Sequence, residues 1–478
     1  MQQKQFQNNT KIIATLGPAT SSVIRIKALL RAGVNVCRIN ASHGSHETHK
    51  IIIDNIRKAD QELSAHTAIL FDLQGPKLRI GKVEDKGRKL NEGDDLILTV
   101  KKVVSGSKEV FVQYPSICKD VKKNETILID DGKIAVKVIK IVSNHSVHCK
   151  VIHGGLLLSN KGINLPDTSI SLPALTEKDR NDLKFALSNK VEWIGLSFVR
   201  KPADLIELKS LIKKAKGFSR VIAKIEKPEA LKNIDGILLE CDAVMVARGD
   251  LGVEMPMEEV PLLQKMLVKK CLANSKPVII ATQMLESMIQ NFRPTRAEVN
   301  DVGNSVLDGA DALMLSAETS IGAYPVDAVK AMHKIIANIE CDEQVYHRFT
   351  SPDEEKKSFI SDTITYNAAI MARNSGAKAI ITMTHSGYSA IRLTSQRPKA
   401  NIFVFSDNPR LMKILNLVWG IRVFFYDKYE SSEKTINDAT DLLLKHKLVK
   451  KGDLFLSIGS TPLHKRGMAN TIRLATIT

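Results

Sequence analysis

Short apolar runs recur along roughly the first two-thirds of the chain, with helix-period segments between them. The runs are KIIAT (11–15), NVCRI (35–39), AILFDL (68–73), EWIGLSF (192–198), VIAKIE (221–226), AVMVA (243–247), PVIIAT (277–282) and ALMLS (312–316). Segments such as SSVIRIKALLRAG and EEVPLLQKMLVKKCLANS carry apolar residues at the spacing of one helix face. Strands that are apolar throughout and alternate with helices predict a parallel sheet covered on both sides. Eight of them predict an α/β fold closed as a (β/α)8 TIM barrel.

One gap breaks the rhythm. Residues 75–165 show short strands and turns instead, among them EGDDLILTV, NETILIDDGKIAVKVIKIV and SVHCKVIHGG. This predicts an all-β insertion after the third strand, on the loop side where barrels carry their chemistry, and so in the position of a lid. RFTSPDEEKKS (348–358) reads as a linker. Beyond it, KAIITMT, NIFVFS, RVFFY and DLFLSIG alternate with helices and predict a second α/β unit. The expected division is 10–74 with 166–345 for the barrel, 75–165 for the lid and 346–478 for the C-terminal α/β unit.

Composition narrows the class. A chain of 478 residues accommodates several domains. No run of 18 apolar residues suggests a membrane span, and MQQKQFQNNT lacks the apolar core of a secretory signal. Six cysteines (37, 118, 149, 241, 271, 341) have no paired metal spacing and read as reduced, mostly buried thiols. A cytoplasmic protein is expected. The net charge of +17 would suit nucleic acid, but no aromatic-rich basic patch or helix-turn-helix signature accompanies it. No nucleic-acid partner and no membrane partner are expected; anionic metabolites remain.

Candidate chemistry lies at the strand ends. Lys224 and Glu226 are two apart, so on a strand they share a face, near the end where barrel active sites form. A structural ion pair is the alternative for these two alone. The other strands supply Thr15, Arg38 and Asn40, Asp72, Ser197, Arg248-Gly249-Asp250, Thr282, and Ser316 with Glu318. Buried charges cost several kcal/mol unless paired or ligated, so this distribution describes a site of cations and carboxylates rather than packing. Glu226 and Asp250 offer hard oxygen ligands suited to Mg2+ or Mn2+. Lys224 beside them suits a transferring phosphoryl group or an enolate.

The segments NVCRINASHGSHETH, VIAKIEKPEA, VARGDLGVE and ATQMLESMIQNFRPTRAEVNDVGNSVLDGADALMLSAETSIGAYPVDAV closely resemble the pyruvate kinase family, and the likeness runs from about Lys11 to the C-terminus. It implies a barrel, a β-barrel lid and a C-terminal α/β domain, and transfer of the phosphoryl group of phosphoenolpyruvate to ADP, giving pyruvate and ATP at the last step of glycolysis. Carried over, it implies that Arg38 binds phosphate, that Lys224 contacts the transferring phosphoryl and that Ser197 belongs to the substrate site. It implies that Glu226 and Asp250 hold Mg2+, and that the N–H groups of Gly249 and Asp250 hold the substrate carboxylate with Thr282. Thr282, Ser316 and Glu318 would serve enolate protonation. Pro18, His43, Arg79 and Lys161 would face the nucleotide. A homotetramer is the family's usual assembly.

Potassium-dependent members use positions matching Asn40, Ser42, Asp72 and the carbonyl of Leu73. They read Thr-Lys after that aspartate and carry Glu two residues after the next glycine. Here Leu73-Gln74 follows and Lys77 stands at the glutamate position. This resembles the potassium-independent branch, with the Lys77 ammonium in place of K+. Ala41 and Ala317 replace a usual Phe and a common Gly. THSGYS (384–389) resembles the family's effector loop for phosphorylated sugars or nucleotides. Thr384, Ser386, Gly387 and Ser389 would cradle phosphate, joined by Lys465 and Arg466; a plain helix cap explains the serine equally well. His43, His46 and His49 are spaced by three but lack a completing zinc ligand, and read as a solvated helix start. Two other functions stay open on the sequence: a Mg2+-dependent lyase or aldolase acting on pyruvate enolate, and a catalytically inactive metabolite sensor.

Overall fold

The computed structural model describes residues 8–84, 87–105, 109–168, 170–428, 431–460 and 469–478. Eight parallel strands close into a barrel in sequential order: β1 (Lys11–Thr15), β2 (Val36–Asn40), β3 (Ala68–Asp72), β4 (Trp193–Leu196), β5 (Arg220–Ile225), β6 (Ala243–Ala247), β7 (Val278–Ala281) and β8 (Ala312–Leu315). β8 pairs back onto β1, Ala312 beside Lys11. Each strand is buried almost throughout because helices cover its outer face.

Alternation along the strands sorts the side chains into two cores. Ile12, Ala14, Val221, Ala223 and Ile225 pack outward against the helices. Ile13, Val36, Leu70, Trp193, Ile222, Met245 and Met314 fill the barrel interior. The helices are fixed by local chemistry. Ser45 and Thr48, Thr176 and Asp179, and Thr295 and Glu298 each form reciprocal capping boxes.

The inserted strands between residues 88 and 164 surround their own core, built on Ile80, Leu98, Val110, Ile129 and Val151. The resemblance implied a β-barrel here; among the described residues the strands register as a six-stranded sheet and a two-stranded one. The C-terminal unit is a five-stranded sheet. Four strands are parallel, and a fifth, Thr471–Thr476, runs antiparallel beside Leu454–Gly459. That fifth strand was not anticipated: its alternating residues are mostly exposed and leave no apolar run.

The C-terminal unit seals the N-terminal end of the barrel. Ile414 and Leu417 join the interior core, and the Trp193 indole donates to the Ile414 carbonyl at 3.3 Å. The opposite end, where strands run into loops, is left for the site. None of the described helices is long and apolar enough to cross a membrane. Of the six cysteines, five are buried and Cys341 is exposed.

Candidate active site

On three of the strands the inward column begins apolar and ends polar. On β2 it reads Val36, Arg38, Asn40; on β3 Ala68, Leu70, Asp72; on β5 Ile222, Lys224 and then Glu226 just past the strand. Parity therefore delivers the charges to one end of the barrel, where they meet.

Lys224 is the hub. Its ammonium lies 2.9 Å from Glu226 Oε1 and 3.3 Å from Asp72 Oδ1, and donates to Ser197 Oγ at 2.7 Å. Arg38 holds the other oxygen of Asp72 with Nε at 2.8 Å and Nη2 at 2.6 Å, and reaches Thr15 Oγ1 with Nη1 at 3.0 Å. All four charged groups are buried. Room for Asp72 comes from Gly195 on the adjacent strand: a Cβ there would stand 2.8 Å from Asp72 Oδ1.

Burial alone would lower the Lys224 ammonium; the charges of Asp72 and Glu226 outweigh it and hold Lys224 above the ordinary lysine value. Burial alone would raise Asp72, but Lys224 and Arg38 hold it below the carboxylate range. Glu226 goes the other way. Burial pushes it up, the like charge of Asp250 adds to that, and Lys224 only partly offsets it. Two mutually repelling carboxylates, one deeply buried and one partly exposed, are the donor set a hard divalent cation would relieve. Apart from Asp250, whose nearest cation is Lys77 Nζ at 3.5 Å, the set is rigid: Glu226 Oε2 accepts the Phe198 N–H at 2.7 Å.

The helix Arg248–Glu254 opens directly after β6. Arg248 is clamped by Asp301 at 2.6 and 2.7 Å and donates to the Thr282 carbonyl at 2.8 Å. Thr282 follows β7 with φ of +73°, a genuine outlier for a β-branched residue. Its Oγ accepts the Gly249 N–H at 2.7 Å, so one of the two N–H groups expected to hold a substrate carboxylate is engaged with Thr282 itself. Ser316 and Glu318 belong together: Glu318 accepts the Ser316 N–H at 2.7 Å and the Leu285 N–H at 3.2 Å, and burial raises its carboxyl.

The remaining expected residues divide. Pro18 and His43 are exposed beside the barrel rim. Arg79 and Lys161 meet at the base of the inserted sheets, Arg79 donating to the Asn160 carbonyl at 2.9 Å and Lys161 pairing with Asp130 at 2.9 Å. Among the expected K+ positions, Asn40 Oδ1 accepts the Ser42 N–H at 3.1 Å, and the Leu73 carbonyl accepts Ser197 Oγ at 2.7 Å.

In the C-terminal unit, Thr384 is buried and accepts the Gly387 N–H at 2.9 Å, closing a turn in which Gly387 has φ of +82°. Ser386 Oγ accepts the Tyr388 N–H, and Ser389 stands at the start of helix Tyr388–Ser395. Lys465 and Arg466 lie outside the described residues. His49 is not solvated as the sequence suggested. It is buried edge-on against Phe71, and His46 stacks on Phe185 while lying 2.7 Å from Asp182. No group of three potential metal ligands occurs among the described residues.

Sequence reasoning missed a buried link beside the site. Glu254, at the end of the helix Arg248–Glu254, accepts Lys227 Nζ at 2.6 Å and Asn164 Nδ2 of the inserted unit at 2.8 Å. The run of KIEKPEA carried its only signal, a third charge one residue past Glu226.

Fold and charge cluster together define a barrel enzyme whose open end holds a cation-and-carboxylate centre beneath an inserted β unit. The family model for the pyruvate kinase barrel domain matches residues 7–329, and that for the pyruvate kinase alpha/beta domain matches residues 362–475. The pyruvate kinase of Mycobacterium tuberculosis is 41% identical over 97% of both chains. That of Geobacillus stearothermophilus is 40% identical over 99% of this chain and 81% of its own. The crystal structure of a pyruvate kinase from Cryptosporidium parvum superposes with a TM-score of 0.91 at 33% identity, covering 99% of this chain and 97% of that one. The chain belongs to the pyruvate kinase family. It is accordingly a phosphotransferase, and the reaction is transfer of a phosphoryl group from phosphoenolpyruvate to ADP, giving pyruvate and ATP. The lyase reading is set aside.

Proposed function

We propose that the buried cluster centred on Lys224 is where this transfer takes place. The observation that carries the reading is the sharing of one lysine among Ser197, Asp72 and Glu226 at the open end of the barrel. Phosphoryl transfer asks little covalent work of a protein and much positioning and charge neutralisation. Lys224 and Arg38 are fixed cations for the transferring group, held in place by Asp72 so that no reorganisation is needed as charge moves. Glu226 and Asp250 would hold a Mg2+ or Mn2+ ion, which when bound supplies Lewis-acid neutralisation of phosphate and enolate oxygens. On substrate binding the Gly249 N–H exchanges Thr282 for the substrate carboxylate. Thr282, with Ser316 and Glu318 near it, then sites the proton on one face of the enolate. Arg79, Lys161, Pro18 and His43 face the nucleotide. Residues 10–74 with 166–345, 75–165, and 346–478 act as catalytic barrel, lid and C-terminal unit of a cytoplasmic homotetramer. The loop at 384–389 holds an effector phosphate.

We further propose that the enzyme needs no K+. Lys77 already brings a cation to Asp250, and Asp72 is shared by two cations, which disfavours a third nearby. The test is pyruvate formation with phosphoenolpyruvate, ADP and Mg2+ in K+-free buffer, then with KCl. Turnover that KCl changes less than about twofold is expected. Turnover only with K+ keeps the phosphotransferase and removes Lys77 from this role. In the same assay Glu226→Gln should raise the half-saturating Mg2+ concentration by about tenfold or more; an unchanged titration takes Glu226 out of the metal site.

A further inference from the structure

The buried link at Glu254 joins sequence neighbours of both metal ligands to the stretch that carries two nucleotide-facing residues. Glu254 stands four residues, about one helical turn, after Asp250 on the helix Arg248–Glu254. Lys227 directly follows Glu226, whose Oε2 accepts the Phe198 N–H at 2.7 Å. Asn164 ends the short strand Ile163–Asn164 of the inserted unit, three residues after Lys161. That strand is laced to the Arg79 stretch. The Ile163 N–H donates to the Leu78 carbonyl at 2.9 Å, the Ile80 N–H donates to the Lys161 carbonyl at 2.9 Å, and Arg79 bridges to Gly162.

Neutralising charge does not require Asn164. Lys227 Nζ lies 2.6 Å from Glu254 Oε1, and both side chains are buried, so the ion pair is complete within the barrel. Asn164 Nδ2 donates to the same oxygen at 2.8 Å from the inserted unit, and Asn164 is itself buried. A carboxylate only accepts, so it fixes which way the amide points. Asn164, Lys227 and Glu254 line, with Lys77 and Phe198, a cavity of about 20 Å3 where the inserted unit meets the barrel. The connecting segments are fastened elsewhere, by residues flanking β4: the Gly75 N–H donates to Asp179 at 3.0 Å, and Arg200 to the Leu172 carbonyl at 2.6 Å. Asn164 instead fastens the strand that carries Lys161 and is laced to Arg79, and it does so on the helix that carries Asp250. A misplacement of about 1 Å remote from the reacting atoms can cost about a hundredfold in rate.

We propose that Asn164 and Glu254 are positioning residues for the nucleotide: their hydrogen bond sets Arg79 and Lys161 at a fixed place relative to Glu226 and Asp250. This rests on the metal and nucleotide placements proposed above. The test is Asn164→Ala in the full-length protein, which removes the link and leaves the Lys227–Glu254 pair intact. Its kcat/KM for ADP should fall by about tenfold or more. Its dissociation constant for phosphoenolpyruvate, titrated calorimetrically with Mg2+ and no nucleotide, should change less than about twofold. Ser105→Ala is the control for the inserted unit's own stability, because Ser105 Oγ accepts the Phe111 N–H at 3.2 Å inside that unit. It should change both quantities less than about twofold. An unchanged kcat/KM for ADP in Asn164→Ala, an equal loss of phosphoenolpyruvate affinity, or an equal loss in Ser105→Ala would each overturn the proposal. Arg79→Gln tests the nucleotide placement separately. A loss for ADP in Arg79→Gln with none in Asn164→Ala overturns the link and keeps that placement; a loss in neither overturns both. A loss in Asn164→Ala alone keeps the link and removes Arg79 from the nucleotide.

Discussion

The two ends of one barrel bury charge in opposite ways. At the open end Lys224 is shared by two carboxylates, and Asp72 by two cations, all within 3.3 Å. At the closed end backbone carbonyls take a larger share of the partners. Lys11 donates to the Ile421 carbonyl at 3.0 Å, and Arg397 donates to the carbonyls of Gly309 at 2.7 Å and Thr394 at 2.9 Å. Arg397 also pairs with Asp311 at 3.0 Å beneath the Trp419 ring, and Asp311 accepts the Trp419 N–H at 3.2 Å. A carbonyl fixes one geometry and stays put. Carboxylates from separate strands instead hold their cation fixed at the open end of the barrel. Burial of charge alone therefore does not mark an active site; what the charge is paired with does.

The sharpest way to break this contrast is Lys224→Met. Turnover per folded molecule at saturating substrates should fall by about a thousandfold or more, about 4 kcal/mol of barrier. Near wild-type turnover would sink the distinction. Arg397→Met should do the reverse. It leaves Asp311 buried without its cation and should cost about 3–5 kcal/mol of stability, read by denaturant unfolding, while turnover per folded molecule stays within about twofold. A large drop in its turnover would mean the closed end takes part in the chemistry.

The smallest effect is a pH dependence. Burial, with Arg422 adding its charge, lowers the Lys11 ammonium to about 8 against the partial support of Glu340 and Asp311. A lysine lowered in the folded state costs stability where both states are protonated, below about pH 8. As pH rises from there toward 10.5 the unfolded chain holds the proton the folded one has released, so this contribution improves with pH. Lys11→Met should remove that rise, whose upper bound is about 3 kcal/mol. Midpoints of the two proteins that run parallel from pH 8 to 10 would show that Lys11 is ordinary in the fold.

Much of this was legible in the chain. Eight apolar runs gave the strand count, and period-two spacing placed Lys224 with Glu226 and Arg38 with Asn40. Less was legible where partners are remote. Lys11 stood only as the first residue of the run KIIAT, and His49 read as part of a solvated helix start. The first is buried by a carbonyl 410 positions away, the second by Phe71 and Phe185. The left-handed backbone at Thr282 left no trace, because its sequence neighbours do not impose it; Arg248 and Gly249 hold it from the adjacent strand end. The strand Thr471–Thr476 was invisible because it lies at a sheet edge with few apolar residues to display.

By itself the sequence determined which side chains share a face, since that depends only on the local two-residue repeat of a strand. Tertiary structure decided which faces meet. Barrel closure brought Asp72 of β3 and Ser197 past β4 to Lys224 of β5, and docking of the C-terminal unit chose which charges would be capped by carbonyls. Those pairings are set by register and closure between segments far apart in the chain, and no local pattern encodes them.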